Sequence, residues 1–325
     1  MNIIKLSALL IITIITASCN KHQKRGTTYP DGKPMEEFEV LETKEGSFIK
    51  DGSYKTWYPG AIPQVAGEYS QGKKVGNWKE WHPNGQMKSS MNFKDDILDG
   101  TYVGWYEGGQ KSVEGKYASD HFVGPLTLWY QNGQVSATGN FDEKGKKVGA
   151  HVGWYENGIK KEEVIYKAGR RDGQYSFWSD KGKLKVQAMY HNDQLDGEYT
   201  EYFDNGNTYK KGSYKDGKQQ GSWSIAYQLG RVVLQETYDH GVNVSLVGKW
   251  KLNNGSTIEY FRDGTAQLVG AGGIKANKNY YKIEGDQLMY GFRYYSLEKL
   301  TPTEYTISAS SLFGKKESWT GSKIN

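Results

Sequence analysis

Six histidines and a series of aspartates are the side chains best suited to ligate a metal or move a proton. The histidines are His22, His82, His121, His151, His191 and His240, and they are scattered. No two have the i, i+4 spacing that sets a pair of imidazoles on one helix face around zinc. Carboxylates recur at Asp95-Asp96, Asp172, Asp193, Asp196, Asp204 and Asp216. They fall in polar runs between apolar segments, where Asp is favoured because it bonds nearby backbone. Calcium at these turns is the alternative, but the spaced ligand set of a calcium loop is missing. No G-x-S-x-G elbow, phosphate-binding loop or dinucleotide fingerprint occurs. A single cysteine, Cys19, excludes an intramolecular disulfide and a cysteine-rich zinc site. The expectation is a protein with no catalytic residues, no metal and no cofactor.

Tryptophan offers a different chemistry, stacking. Trp57, Trp81, Trp105, Trp129, Trp154 and Trp178 recur at near-constant spacing. If one side of this row is exposed, it forms a binding surface for sugars or for a partner. The alternative is that the rings are the packing layer of a thin sheet. Their recurrence in nearly every copy of a repeat favours packing, and the array has few other large apolar residues to bury.

Composition describes the elements that must position these rings. Of 325 residues, 36% are apolar and 14% aromatic, with 25 Tyr, 10 Trp and 41 Gly but only 7 Pro. Aromatic and glycine enrichment suits short strands joined by tight turns. Low aliphatic content argues for thin, repeated packing layers over one large core. The 42 basic and 37 acidic residues leave a net charge of +5, with both signs mixed along the chain. A nucleic-acid surface would need a basic stripe and a recognisable motif, and neither is present.

Residues 1–19, MNIIKLSALLIITIITASC, have a short basic n-region at Lys5, an apolar run from Leu6 to Ile15 and small residues up to Cys19. This is the pattern of a secretory signal peptide, too short for a comfortable membrane span. With the cysteine at the cleavage point, Thr16-Ala17-Ser18-Cys19 resembles the lipobox of bacterial lipoproteins, although Thr16 stands where Leu is usual. The resemblance implies that Cys19 is diacylated and anchors the chain in a lipid bilayer, which leaves no thiol nucleophile. Asn20 does not resemble the Asp linked to inner-membrane retention. The basic stretch after Cys19 lacks the acidic run that looks like a surface-export signal. An outer-membrane location facing the periplasm follows as the expectation. Residues 20–45 are polar, aperiodic and contain Pro30 and Pro34, which reads as a flexible tether.

The stretch 46–244 is repetitive. Gly52, Gly76, Gly100, Gly124, Gly149, Gly173, Gly197 and Gly221 open equivalent segments, 24 residues apart except for 25 between Gly124 and Gly149. Two residues on is usually an aromatic, with Leu126 and His151 as exceptions. Five on is the Trp row, ending in Tyr202 and Ala226; nine on is Gly in seven of the copies; seventeen on is always aromatic, from Tyr69 to Tyr238. Strand-forming runs end in Asn-Gly at Asn84-Gly85, Asn132-Gly133, Asn157-Gly158 and Asn205-Gly206, a pair suited to two-residue hairpin turns. Each copy therefore reads as one β-hairpin. Eight stacked copies, about sixteen antiparallel strands, would stabilise one another in an elongated sheet. The alternation of strand side chains puts the positions two and six after each Gly on one face and the Trp on the other, unless a bulge intervenes.

The runs G-x-[YW]-x-x-W-Y-x-x-N-G resemble the MORN-repeat variant family, also known as the YwqK family of antitoxins, over about 193 residues from Gly52. The resemblance implies a repeat architecture without a catalytic site. With the lipoprotein signal it implies a non-catalytic binding or scaffold protein of the cell envelope, whose partner is an envelope protein or a polysaccharide. Carbohydrate binding through exposed Trp rows and neutralisation of an exported toxin are the alternatives.

After Gly241 the period stops. Residues 245–325 read as a separate small all-β domain of about seven strands, a barrel or a sandwich. Asp263-Gly264, Glu284-Gly285-Asp286 and Thr301-Pro302-Thr303 mark turns. Gly248-Lys249-Trp250 followed by GSTIEYFRDGT resembles bacterial lipocalin-like domains, which implies a barrel with Trp250 plugging its base.

Overall fold

The glycine opening each copy marks a backbone conformation that a Cβ resists. Gly52, Gly76, Gly100, Gly124, Gly149, Gly173, Gly197 and Gly221 all have φ between 66° and 131°. Where the flanking ladders are defined, pairing skips at these glycines, as between Val75 and Lys79 or Val148 and Val152. Each is a bulge that bends the strand.

The computed structural model describes residues 22–227, 232–284, 286–310 and 316–324, and within them the chain is all β, with 27 strands and no helix. The segment expected as a signal peptide, with Cys19, lies outside the described residues. Two compact units are defined. One runs up to Gln110 and includes Tyr117–Asp120; the other comprises Lys111–Lys116 and His121 onward. In the first, β1 (His22–Thr28), β2 (Pro34–Glu42), β3 (Phe48–Tyr58), β4 (Ile62–Ser70), β5 (Lys73–Trp81), β6 (Met87–Lys94) and β7 (Ile97–Trp105) pair consecutively and antiparallel. β8 (Lys111–Ala118) is divided between the units. In the second, the same order continues through β9 (His121–Trp129), β10 (Val135–Phe141), β11 (Lys147–Trp154), β12 (Lys160–Lys167), β13 (Arg170–Trp178), β14 (Leu184–His191), β15 (Gln194–Tyr202), β16 (Thr208–Lys215), β17 (Lys218–Tyr227) and β18 (Val232–Asp239). One hairpin per copy is thus the observed unit.

The turns depart from the sequence reading. Asn-Gly is not a two-residue turn. His82 N donates to Gln86 O at 2.8 Å and Gly85 N to His82 O at 2.9 Å, closing a three-residue loop in which only Gly85 has positive φ. This is a tight turn followed by a left-handed glycine. Asn84 contributes through its side chain, accepting from Gln86 N at 3.0 Å. The two-residue turns with positive φ at both positions lie at the opposite ends of the strands: Gln71-Gly72, Asp95-Asp96, Ser119-Asp120, Ala168-Gly169, Asn192-Asp193, Asp216-Gly217 and His240-Gly241. The 25-residue interval has its cause here. Between β10 and β11 a three-residue loop closed by Asp142 N to Lys146 O replaces the two-residue turn.

Most of the segment expected as a flexible tether forms a hairpin. β1 and β2 pair from His22↔Leu41 to Thr28↔Pro34, and β2 pairs with β3. Tyr29-Pro30-Asp31-Gly32 builds the same loop as His82-Pro83-Asn84-Gly85, with Tyr29 N donating to Lys33 O and Gly32 N to Tyr29 O. It is a further copy of the hairpin. The period hides it because Gly32 precedes its counterpart Ala61 by 29 residues, the extra length lying around the loop between Glu42 and Phe48.

The C-terminal segment resolves to a barrel rather than a sandwich, with eight strands rather than seven. β19 (Val242–Asn243) leads to β20 (Gly248–Leu252), β21 (Thr257–Tyr260), β22 (Thr265–Val269), β23 (Asn279–Glu284), β24 (Gln287–Tyr290), β25 (Arg293–Leu300), β26 (Glu304–Ser310) and β27 (Lys316–Ile324). From β20 on each pairs with the next, and β27 returns to β20. Closure removes free strand edges. Its core of Trp250, Tyr260, Leu288, Leu297, Leu300 and Tyr305 also takes in Leu234 of β18, which is fully buried and bridges to Leu300. The barrel and the last hairpin therefore share one core, and the boundary at residue 245 cuts through it.

Candidate functional site

Aromatic side chains two and seventeen residues after the bulge glycines meet in ring stacks within each unit. In the first unit Tyr54, Tyr69, Trp78 and Phe93 contact in sequence, with centroids 5.1–6.1 Å apart. In the second, Phe141, His151 and Tyr166 do so, as do Tyr199, Tyr214, Trp223 and Tyr238. Most contacts are edge-to-face, the geometry favoured by the ring quadrupoles. Trp78 and Trp223 are buried, at 3% and 1% exposure. His151 substitutes for an aromatic ring in this stack. Burial there holds its imidazole below the usual histidine range, and Nε2 donates to Asn140 O at 3.0 Å.

The six tryptophans of the second row take no part in those ring contacts. Trp57, Trp81, Trp105, Trp129, Trp154 and Trp178 each end the first strand of a hairpin and are half-buried. A register shift falls beside each ladder-paired Trp, as between Thr56 and Trp57 and between Phe177 and Trp178. Their carbonyls are engaged. Tyr29, Tyr58, Tyr130 and Tyr155 donate their hydroxyls to the carbonyls of Trp57, Trp81, Trp154 and Trp178 in the next copy, at 2.7–3.2 Å. His82 does the same to Trp105 O at 3.0 Å, which fixes its proton on Nε2. Asn84, Asn132 and Asn157 add donations to the carbonyls of Glu107, Glu156 and Asp180, each 2.8 Å. The polar side chains of the loops thus tie copy to copy.

Between neighbouring indoles there is usable space. In the first unit Trp57 and Trp81, with Lys55, Thr56, Pro63, Val65 and Ala66, line a slot of about 250 Å³. Thr56 Oγ1 is buried there without a hydrogen-bond partner among the described residues. In the second unit Lys111 and Lys160 lie over the rings of Trp129 and Trp178, at 5.6 and 5.2 Å. Such cation–ring contacts favour a held lysine over a bare indole platform.

The titratable groups have local roles. Asp96, Asp120 and Asp193 each exchange two hydrogen bonds with the backbone of a neighbouring strand, at Lys74, Leu98 and Arg171. The bond from Arg171 N holds the Asp193 carboxyl below the ordinary aspartate range. Asp172 faces His191, Asp196 pairs with Lys215, Asp204 with Lys185, and Asp239 with His240 and Arg262. His22 pairs with Asp51 at 2.6 Å. Among the described residues no three of His, Cys, Asp and Glu gather where an ion could be held.

One feature the sequence reading did not locate is a cavity of about 210 Å³ inside the barrel, lined by Leu252, Asn254, Ile258, Tyr260, Leu268, Leu288, Tyr290, Tyr295, Tyr305, Ile307 and Trp319. Trp250 lies outside this lining. It is fully buried in the barrel core, its Nε1 donating to Leu246 O at 2.6 Å.

Residues 74–95, 171–192 and 195–216 match the MORN repeat variant. These segments are the hairpins β5–β6, β13–β14 and β15–β16, so the matched unit is the structural unit. No curated protein matches the chain. Among solved structures, the crystal structure of TcdB2-TccC3 is similar at 11% identity, over 92% of this chain and 18% of that one, with a TM-score of 0.18. The chain thus spans less than a fifth of that protein's length. MORN-type repeats suggest a repeat-based binding or scaffold role.

Proposed function

We propose that this protein is an exported lipoprotein, anchored through acylated Cys19, that works as a non-catalytic binding or scaffold protein through its hairpin repeats. The observation that carries the reading is the ladder from each Tyr or His side chain to the next Trp carbonyl. It gives the repeats fixed spacing, and in the first unit the half-buried indoles of Trp57 and Trp81 border a common open slot. A surface with that periodicity suits a long partner more than a small substrate. The partner would be an envelope protein or a polysaccharide, and the location the outer membrane, facing the periplasm. Neutralisation of an exported toxin is a special case of the same binding role.

A second reading concerns the barrel. Its cavity is walled by leucine, isoleucine and aromatic rings, with tyrosine hydroxyls and Asn254 as polar handles, the usual build of a small-ligand site. It would accept a small, mostly apolar molecule, in keeping with the lipocalin-like resemblance.

Chemical cross-linking in intact cells, followed by capture of the full chain and mass spectrometry, tests the first reading. The mass of the N-terminal peptide reads out acylation in the same sample. A partner recovered with the parent and lost with Trp57→Ala/Trp81→Ala supports binding through the repeats. Equal recovery with both chains contradicts it.

A further inference from the structure

The barrel wall carries an aromatic strip on its outer side that its core does not use. Along β23, Tyr281 and Ile283 pack against the core while Tyr280 and Lys282 are exposed. Along β25, Tyr295 and Leu297 turn in while Tyr294 stays 54% exposed. The pairings Lys282↔Met289 and Met289↔Tyr294 set these outward residues side by side. β24 and β25 are joined by Gly291-Phe292 alone, inside the pair Tyr290↔Arg293, and Gly291 has φ 60°. Glycine at the first position of a two-residue hairpin turn is a stiff connection whose twist matches the strands. Gly291 N donates to Tyr280 O at 2.8 Å, which holds the turn beside Tyr280.

Phe292 at this tip is fully exposed (104%), and Tyr280 is 73% exposed. Turn tips ordinarily carry small or polar residues, and a phenyl ring wholly in water contributes nothing to folding. Lys278, Lys282 and Arg293 are exposed and adjoin the strip in sequence; Lys278 also lies over the Phe261 ring at 4.0 Å, and Lys282 is paired with Glu284 at 2.6 Å. Residues 245–325 hold eleven Lys and Arg against seven Asp and Glu, which is +4 of the chain's +5.

We propose that this strip docks on an anionic lipid bilayer, with Phe292 as the inserted wedge. Tyr280 and Tyr294 then lie at the head-group level, where amphipathic rings are favoured. Lys278, Lys282 and Arg293 face lipid phosphates, each adding attraction near a negatively charged surface. The charge excess and the size of the strip select this occupant. A stable protein interface buries about 800 Å² on each partner, far more than three rings supply. The stiff turn presents Phe292 already ordered, so little conformational freedom is lost on insertion. This contact does not depend on acylation at Cys19.

The test uses the unacylated chain from Asn20 onward, which retains every described residue. It is sedimented with vesicles of phosphatidylcholine alone and of phosphatidylcholine mixed with phosphatidylglycerol. Binding is expected on the mixed vesicles only and weakens as salt is raised. Phe292→Ser, whose thermal melt should match the parent because the ring packs on nothing, is expected to bind ~10-fold more weakly. Lys278→Gln/Arg293→Gln should lose the preference for the anionic lipid. Unchanged affinity in Phe292→Ser overturns the proposal. So does an absence of binding to either vesicle, and self-association abolished by Phe292→Ser would then assign the strip to a second copy of the chain.

Discussion

Trp78 lies flat over Gly67: a Cβ placed on Gly67 would stand 2.2 Å from Trp78 Cδ2. Trp223 over Gly212 repeats the relationship at the same distance. Gly67→Ala is therefore expected to destabilise the fold by about 1–3 kcal/mol, the usual cost of overpacking. Urea unfolding followed by tryptophan fluorescence measures it. Adding Trp78→Tyr should recover much of the loss, because Ala188 already faces Tyr199 across the same pairing. Failure of the second change to rescue would show that the glycine is required for another reason.

That relationship also divides the bulge glycines into two classes. Gly76, Gly124, Gly149 and Gly221 have φ of 66–69° and belong to copies in which Trp78, Leu126, His151 and Trp223 lie against Gly67, Gly115, Gly139 and Gly212. Gly100, Gly173 and Gly197 have φ of 116–131°, and in those copies Tyr102, Tyr175 and Tyr199 pair with Met91, Val164 and Ala188. Leu126 and His151 are thus regular members of the first class, although they look like exceptions in the sequence.

The hydrogen bond from His82 to Trp105 O predicts an asymmetric pair of substitutions. His82→Tyr keeps a donor of the kind other copies use and should leave stability nearly unchanged. His82→Phe removes the donor and should cost about 0.5–1.5 kcal/mol. Thermal melts of the two variants beside the parent decide the matter.

Turn aspartates should behave as backbone partners and not as ion ligands. Asp96→Ala removes the acceptor of Lys74 N, which lies 2.8 Å away, and should lower stability by about 1 kcal/mol. Asp96→Asn, which retains an oxygen there, should lose less. Calcium or a chelator should leave the melting temperature of the parent unmoved. A calcium-dependent rise that Asp96→Asn abolishes would contradict the assignment.

Stability should fall at both ends of the pH scale. Burial raises Tyr305 to about 12, and burial, aided by Glu36, does the same for Tyr54. The folded state thus holds protons that the unfolded chain releases near pH 10, and stability is lost as pH rises from about 10 toward 12. His151 has the opposite sense. Its folded value lies below that of the unfolded chain, so stability present above about pH 6.5 declines as pH falls. His151→Leu, the residue its class uses at Leu126, should flatten the acid limb of a melting-temperature profile and leave the alkaline limb in place.

The repeat was legible because a glycine of positive φ opens every copy at its bulge and rings are needed wherever copies stack. Both requirements recur every 24 residues. The N-terminal hairpin escaped because a longer loop before Phe48 broke the interval and Thr28 stands where Trp would be. The turn types were read the wrong way round because Asn-Gly satisfies two geometries; the ladder beside it, not the dipeptide, selects the three-residue loop. The Trp row was visible by its spacing, but its half-burial depends on neighbours such as Lys111, Lys160 and Pro63 that no periodic position names. The barrel cavity arises from side chains on seven strands and has no local signature.

Binding at the slot between Trp57 and Trp81 is tested most directly by placing a photo-activated cross-linking residue at Lys55 or Lys79 in intact cells. Both are exposed, and Lys55 lines the slot between Trp57 and Trp81. The same residue at Glu317, exposed on the barrel, serves as the comparison. The account predicts one recurrent cross-linked envelope component from Lys55 and Lys79 that is absent from Glu317. The same component from all three positions, or none from the two lysines, would contradict it.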